Sequence, residues 1–125
     1  MTHLLDTNIV LLHLAGRLGE RLPGGVHGVS VITEIETLSW AGLDDASERR
    51  IREFLKTVRV IELDRAAAES AIAIRRAHGV KTPDAIIAGT ARAMGLKLVT
   101  NDARLLRLEV AGLDVLSIPL ANGRE

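Results

Sequence analysis

The sequence predicts an α/β domain with a central, mainly parallel sheet of four to five strands. Short apolar runs typical of strands alternate along the chain with longer segments of helical periodicity. This alternation favours parallel strands joined by crossover helices that pack on the sheet. The length of 125 residues suits one domain, and the 47% of apolar residues, almost all aliphatic, can supply its core.

The N-terminal half holds the first three predicted strands. Residues 3–5 form the first strand, and a helix over about 8–18 follows and ends near Gly19. After the Pro23-Gly24-Gly25 loop, residues 26–31 form the second strand. A helix over about 33–42 and another over about 44–57 then lead to the third strand at residues 58–63.

The C-terminal half repeats the pattern. A helix over about 65–77 is stopped by Gly79, and a helix over 83–94 opens on Pro83 and is stopped by Gly95. The fourth strand at 96–100, a short helical turn over 103–108 and the fifth strand at 115–118 complete the chain. We therefore expect a single domain over residues 1–120, followed by a polar, frayed tail at 121–125.

The composition excludes several classes of site. The chain has no cysteine, which rules out disulfides, thiolate metal sites and a cysteine nucleophile. Absence of cysteine favours a reducing compartment, so we expect the cytoplasm. No apolar stretch approaches the roughly 20 residues of a membrane span, and the N-terminus lacks the basic region of a signal peptide, so we expect no membrane association.

The charge balance limits how the protein can contact nucleic acids. Sixteen basic and sixteen acidic residues cancel, so the molecule has no overall positive field, and any such contact must be local. Each candidate cluster is more often an ordinary solvated helix face. The clusters are Arg49, Arg50 and Arg52; Arg75, Arg76 and Lys81; and Arg104 with Arg107.

Four acidic residues lie where predicted strands give way to helices. Asp6 follows the first strand, and Glu36 lies in the first turn of the second helix. Asp84 is the second residue of the fifth helix, and Asp102 follows the fourth strand. In a parallel sheet the crossover helices return antiparallel to the strands, so helix N-termini gather at the edge where ligands bind. We therefore expect all four side chains at that edge.

Each of these acids also has a simpler interpretation as a helix-capping residue. Asp6 and Asp102 suit N-caps, and Asp84 behind a proline would complement the helix dipole. Glu36 has the spacing of a capping box with Thr33. Capping does not explain why the residues near the acids are also small and oxygen-bearing, namely Thr7, Asn8, Thr33, Thr100 and Asn101.

Four crowded carboxylates repel one another and need a proton or a cation between them. Ligation by oxygen alone favours Mg²⁺, with Mn²⁺ as a possible substitute, whereas zinc prefers nitrogen or sulfur. A metal held by carboxylates, with water in its open positions, can cleave phosphodiesters. The acids therefore predict a magnesium site with hydrolytic chemistry. No ligand spacing relates the four histidines, His3, His13, His27 and His78.

Four segments of the chain contain these acids: LLDTN at 4–8, SVITEIE at 30–36, TPDAIIA at 82–88 and LVTND at 98–102. In order and spacing they resemble the motifs of PIN-domain nucleases, and most closely those of VapC-type toxins of type II toxin–antitoxin pairs. The likeness extends from Leu4 to about Ile118.

The resemblance implies a PIN-like three-layer α/β/α sandwich and an Mg²⁺- or Mn²⁺-dependent endoribonuclease. It also implies a homodimer that a small VapB-like antitoxin inhibits. Carried over to this chain, the catalytic residues are Asp6, Glu36, Asp84 and Asp102. The three aspartates would hold the metal, with Glu36 ligating or orienting the attacking water. Asn8, Thr100 and Asn101 would surround them, and we expect the last two to position water or a phosphate oxygen.

Glu34 competes with Glu36 for the place in the site. The family pattern puts its acid three positions after the residue that Thr33 matches, which selects Glu36. On a helix, residues two apart point about 200° away from each other, so only one of the two can face the site. We expect Glu36 to face it.

Three other functions fit the sequence less well. Phosphatases of the haloacid-dehalogenase type need a second aspartate where this chain has Asn8. Phosphoacceptor receiver domains need paired N-terminal acids and a late lysine before proline, where this chain has Ile118-Pro119. The more serious alternative is a catalytically silent PIN-like module that binds RNA or protein without cutting. The intact acids argue against it.

Overall fold

The computed structural model describes residues 1–121 of the chain. It contains five strands, β1 (His3–Leu5), β2 (Gly28–Ser30), β3 (Arg59–Ile61), β4 (Lys97–Val99) and β5 (Val115–Leu116). Its helices are α1 (Thr7–Leu14), α2 (Val31–Leu38), α3 (Asp45–Leu55), α4 (Arg65–His78), α5 (Thr82–Met94) and α6 (Ala103–Leu106).

The five strands form one parallel sheet in the order β3-β2-β1-β4-β5. The chain builds outward from β1 through β2 to β3, then crosses to the other side of β1 for β4 and β5. The strand order therefore reverses between β1 and β4, and a crevice opens beyond the carboxyl ends of these two strands. The prediction of a mainly parallel sheet is confirmed.

A separate apolar core lies on each face of the sheet. Leu4 packs with residues of α4, α5 and α6, whereas its neighbour Leu5 packs with residues of α1 and α3. Leu98 and Val99 of β4 divide between the same two cores. Successive strand residues point to opposite faces, so β1 and β4 are apolar on both sides. This is the three-layer α/β/α sandwich that the resemblance implied.

Helix α1 ends at Leu14, four residues before the predicted end. Gly16 adopts a left-handed conformation with φ 68°, and two backbone hydrogen bonds, Gly16 N–H to His13 and Arg17 N–H to Leu12, close a Schellman motif. Glycine reaches this conformation without steric cost, so the helix stops here and not near Gly19. Gly79 and Gly95 end α4 and α5 as predicted.

Helix α2 starts two residues earlier than predicted and ends at Leu38, short of residue 42. Ser30 is its N-cap, and the Ser30 side chain accepts a hydrogen bond from the Ile32 N–H at 3.1 Å. Glu36 therefore lies in the second turn of α2 and not in the first. Because Thr33 is inside the helix, the capping-box interpretation of Glu36 is wrong.

The end of the described chain packs against the segment after α1. Leu18 and Leu120 form an isolated antiparallel bridge, and the Ala121 N–H donates to the Arg17 carbonyl at 2.8 Å. We predicted a frayed tail at 121–125; Ala121 is held by this bond, and residues 122–125 lie outside the described residues. Among residues 1–121, no helix has both the length and the apolar character that crossing a bilayer requires.

Candidate functional site

Asp6 lies at the crevice between β1 and β4. Its backbone N–H pairs with the Val99 carbonyl at 2.9 Å, which extends the sheet by one residue beyond Leu5. Asp6 occupies the N-cap position of α1, yet its carboxylate makes no capping hydrogen bond. Instead, the Thr100 hydroxyl donates to Asp6 Oδ2 at 2.7 Å. The carboxylate is only 5% exposed, so capping does not explain this buried charge.

Asp102 is linked to Asp6 by hydrogen bonds to the same threonine, Thr100. Its backbone N–H donates to Thr100 Oγ1 at 3.0 Å, so the fully buried Thr100 hydroxyl joins the two acids. One carboxylate oxygen, Oδ1, accepts the Arg104 N–H at 2.8 Å and caps α6. The capping interpretation is thus correct for this oxygen. Within residues 1–121, Oδ2 has no hydrogen-bond partner and can take a ligand.

Glu36 is hydrogen-bonded to Thr7, the residue that follows Asp6. The Thr7 hydroxyl donates to Glu36 Oε1 at 2.7 Å and also contacts Thr33 Oγ1 at 2.9 Å. A carboxylate can only accept a hydrogen bond, so the Thr7 hydroxyl donates to Glu36. The Thr33 hydroxyl must therefore donate to Thr7. The charge of Glu36 also raises the pKa of Asp84. Both observations support the choice of Glu36.

The electrostatics link all four acids. Burial raises the pKa of Asp6; the Thr100 hydroxyl partly offsets this, and the charges of Asp84 and Asp102 raise it further. Burial also raises the pKa of the half-buried Asp84, and the charges of Asp102 and Glu36 add to the effect. Four acids from separate parts of the chain therefore repel one another at one edge of the sheet, as the strand order requires.

The four carboxylates offer only oxygen ligands to a divalent cation. In the part of the chain that the structure describes, no three His, Asp or Glu side chains stand in a ready-made metal-binding cluster. Mg²⁺ keeps several of its waters and is usually held by only one or two carboxylates together with substrate phosphates. An all-oxygen set with one buried carboxylate fits a hydrated ion of this kind, and does not fit zinc.

One of the predicted neighbours, Asn101, makes contacts other than those we expected. The Asn101 amide donates to the Ile118 carbonyl at 2.8 Å, and its oxygen accepts the Ile118 N–H at 3.0 Å. We expected Asn101 to position water or a phosphate oxygen; instead, both ends of the amide hold the segment after β5. Asn8 is exposed in the first turn of α1, and its side chain has no hydrogen bond within residues 1–121.

An apolar groove of about 420 Å³ is lined by residues of α1, α2 and α3, and Glu36 is one of them. Trp40, on its wall, is 71% exposed, which is unusual for the one tryptophan of a small domain. Neither this groove nor the contact of Thr7 with Glu36 was predicted from the sequence. The position of Thr7, first in the helix after a buried acid, could have indicated that Thr7 belongs to the site. The other apolar side chains on the groove are Leu11, Leu14, Leu43 and Ile51.

Comparison with solved structures gives several matches over nearly the whole chain. A toxin–antitoxin complex from Klebsiella pneumoniae contains a chain 29% identical, with a TM-score of 0.71, covering 90% of this chain and 95% of that one. The DNA-bound VapBC from Salmonella typhimurium matches at 24% identity and a TM-score of 0.75, covering 94% and 98%.

VapBC2 from Rickettsia felis, bound to a promoter DNA fragment, matches at 18% identity with a TM-score of 0.77, covering 94% of this chain and 99% of that one. At this identity the likeness concerns the fold. Comparison with curated proteins gave no significant match.

The family comparison covers the site as well as the fold. The family model described as PIN domain matches residues 3–111, which include β1 to β4 and all four acids. Members of this family are generally nucleases, which agrees with acids clustered where the strand order reverses. On this match, over most of its length, the chain belongs to the PIN domain family.

Proposed function

We propose that this protein is a Mg²⁺-dependent endoribonuclease, the VapC-type toxin of a toxin–antitoxin pair, and that Mn²⁺ can replace Mg²⁺. The observation that carries the proposal is the mutual repulsion of Asp6, Glu36, Asp84 and Asp102 at the crevice between β1 and β4. Maintaining a buried carboxylate among other carboxylates is costly unless a cation compensates the charge. RNA as the substrate is what the resemblance to VapC-type toxins implies, and the likeness to a chain of a toxin–antitoxin complex agrees with a toxin.

Each acid and the hydroxyl of Thr100 has its own role in the proposed site. We assign Asp6, Asp84 and Asp102 to holding the cation, directly or through water. Thr100 fixes the carboxylate of Asp6 and the backbone of Asp102 relative to each other, because its hydroxyl bonds to both. Glu36 is exposed and is held by Thr7 at one oxygen only, which leaves the other oxygen to ligate or to orient the attacking water.

The proposed reaction is hydrolysis of a phosphodiester. Magnesium, when bound, supplies a polarised water and stabilises charge on the phosphate and on the leaving oxygen. The attacking water gives up a proton to solvent as its oxygen bonds to phosphorus, the bond from phosphorus to O3′ breaks, and O3′ takes a proton from solvent. The products are a 5′-phosphate and a 3′-hydroxyl. Ribonucleases that use the 2′-hydroxyl give a 2′,3′-cyclic phosphate instead.

The second candidate function is a PIN-like module that binds RNA or protein without cutting. The lack of a ready-made cluster of three metal ligands in residues 1–121 favours it. Against it stands the unfavourable burial of Asp6, since a silent module would gain stability from replacing this charge with a neutral side chain.

We propose further that a VapB-like antitoxin binds this protein and that its apolar segment occupies the groove beside Trp40. The groove is apolar, and Glu36 forms part of its lining, so an occupant would lie against one of the four acids. Similar solved chains come from toxin–antitoxin complexes, which supports a protein partner of this kind. A homodimer and a cytoplasmic location remain predictions.

The test is a cleavage assay with a panel of structured RNAs. We expect cuts in the presence of Mg²⁺, none with a chelator and none with Asp84→Asn, whose side chain keeps the shape and loses the charge. Glu34→Gln is the matched control and should cut normally. End-group analysis should give 5′-phosphates and 3′-hydroxyls. Cyclic phosphates, or normal cutting by Asp84→Asn, would contradict the proposal.

A further inference from the structure

A second cavity, of about 270 Å³, lies beside Asp84. It is formed where α4 ends, where the loop to α5 passes and where α6 packs, and Asp84 forms part of its wall. Most of its polar lining is basic. We name it the basic pocket, lined by His78, Lys81, Arg104 and Arg107, with Val80 and Leu108 as apolar wall.

The basic side chains of this pocket have no acidic partner at bonding distance. Within residues 1–121, neither Lys81, Arg104 nor Arg107 takes part in a salt bridge. Lys81 and Arg104 act on Asp84 only at longer range, where their charges lower its pKa against the raising effect of burial. One carboxylate faces three permanent positive charges, so the basic pocket carries a net positive charge.

Some basic residues elsewhere on the molecule do have partners. Arg52 pairs with Glu48 at 2.8 Å along α3, and Arg65 approaches Glu69 at 3.5 Å along α4. Arg50 donates to the Leu14 carbonyl. The three clusters predicted from the sequence therefore differ: in the first, Arg52 pairs with an acid and Arg50 with a carbonyl, whereas parts of the other two meet beside Asp84.

The second cluster is divided by the fold. Arg75 and Arg76 lie with Ile72 on another surface of α4, while Lys81 follows the turn at Gly79 and joins Arg104 and Arg107. Lys81 and Arg107 are 26 positions apart, so no local pattern in the sequence indicates that they form one site. In a chain of zero net charge, this is a local positive field adjacent to the candidate site.

We propose that the basic pocket binds a backbone phosphate of the RNA strand next to the phosphate that is cut, and so positions the strand across the acids. The inference rests on the proposed endoribonuclease function and names how that site holds its substrate. Asp84 belongs both to the acids and to the wall of the basic pocket, so a strand whose scissile phosphate lies at the acids brings a neighbouring phosphate close to Lys81 and Arg107. Arginine forks match phosphate oxygens with two hydrogen bonds, and such contacts fix register without reading sequence.

The pocket is tested by RNA binding in the presence of a chelator, so that cleavage plays no part. A labelled single-stranded RNA is titrated with the wild type, Arg107→Gln, Lys81→Gln and the matched control Arg75→Gln. We expect each pocket variant to bind about tenfold more weakly, the effect of losing one charge-assisted hydrogen bond. The slope of log K against log salt should fall by about 0.7 for each lost phosphate contact. Arg107→Lys should recover part of the binding.

The same variants are then compared in the cleavage assay. Substitution of a residue that positions the strand should raise KM and leave kcat within about twofold, because such a residue does not touch the cation or the attacking water. Equal binding and equal salt slopes for Arg107→Gln, Lys81→Gln and Arg75→Gln would overturn the inference. Pocket variants that bind RNA as the wild type does, and lose binding only to an acidic protein partner, would also overturn it. Wild-type binding that depends on Arg107, without any cleavage in Mg²⁺, would support the pocket and refute the endoribonuclease.

Discussion

Thr100→Val removes a single hydroxyl from the junction of Asp6 and Asp102 and keeps the shape of the side chain. That hydroxyl donates to Asp6 Oδ2 at 2.7 Å and accepts the Asp102 N–H at 3.0 Å. Thr100 is fully buried, so water cannot replace the lost bonds without opening the structure. The substitution therefore leaves one buried carboxylate and one backbone donor without this partner.

The magnitude follows from these two bonds. A hydrogen bond to an ionised group contributes about 1.5–3 kcal/mol, and an unpaired, partly buried N–H costs about 1 kcal/mol more. We expect the free energy of unfolding at neutral pH to fall by about 2.5–4 kcal/mol. For a domain of this size, that lowers Tm by about 10–15 °C.

The loss should also depend on pH. Burial raises the pKa of Asp6, and the Thr100 hydroxyl partly offsets this because it stabilises the ionised form. Removing the hydroxyl raises the pKa of Asp6 further. The full loss of stability applies while Asp6 is ionised, and it shrinks as the pH falls through the pKa of Asp6 in the folded protein, which lies above the ordinary value of 3.8.

The assay is urea unfolding of metal-free protein at pH 7 and at the acid end of the range in which it folds. Thr90→Val is the matched control, because Thr90 is also buried but its hydroxyl donates only to the Ile86 carbonyl of its own helix, at 2.7 Å. The control should lose little stability at either pH. If Thr100→Val loses no more than Thr90→Val, or if its loss is the same at both pH values, the hydroxyl does not hold an ionised Asp6.

Three further predictions concern single side chains. Asp6→Asn should stabilise the metal-free protein at neutral pH, because burial raises the pKa of the wild-type carboxyl; urea unfolding should show the gain shrinking as the pH falls through that raised pKa and vanishing below the ordinary value of 3.8. Gly89→Ala should lower the free energy of unfolding by about 1–3 kcal/mol, because its Cβ would lie 2.6 Å from a backbone nitrogen of α4, whereas Gly42→Ala, with no atom within 4 Å, should melt near the wild type. Glu36→Gln should lower kcat for RNA cleavage about 100-fold and Glu34→Gln less than twofold; equal effects would contradict the assignment of Glu36.

The parts of the fold that could be predicted depend on local signals and on general rules of α/β topology. Apolar runs marked all five strands, and the glycines after α4 and α5 marked where those helices end. The position of the acids followed from chain direction alone, since parallel strands end at one edge. Asp6 and Asp102 could therefore be placed together although 96 positions separate them, and the Thr100 hydroxyl joins them.

What could not be predicted depends on contacts between distant segments. Gly16 and Gly19 are equally plausible helix ends in the sequence, and the tertiary structure uses Gly19 to pair with the Pro119 carbonyl. Asn101 looked like a site residue because of its neighbours, but its partner is Ile118, whose position depends on how the chain continues past β5. The basic pocket likewise arises only when α6 packs beside the loop between α4 and α5.

The central claim is that the acids form a site for a divalent cation, and binding of Mn²⁺ tests it without any RNA. Free Mn²⁺ can be followed by electron paramagnetic resonance during titration with the wild type, Asp6→Asn, Asp84→Asn and the control Glu34→Gln. We predict that the wild type and Glu34→Gln bind with the same Kd, and that each aspartate variant raises Kd at least about tenfold, the effect of losing one charged ligand. No binding by the folded wild type, or the same Kd for all four proteins, would contradict the claim.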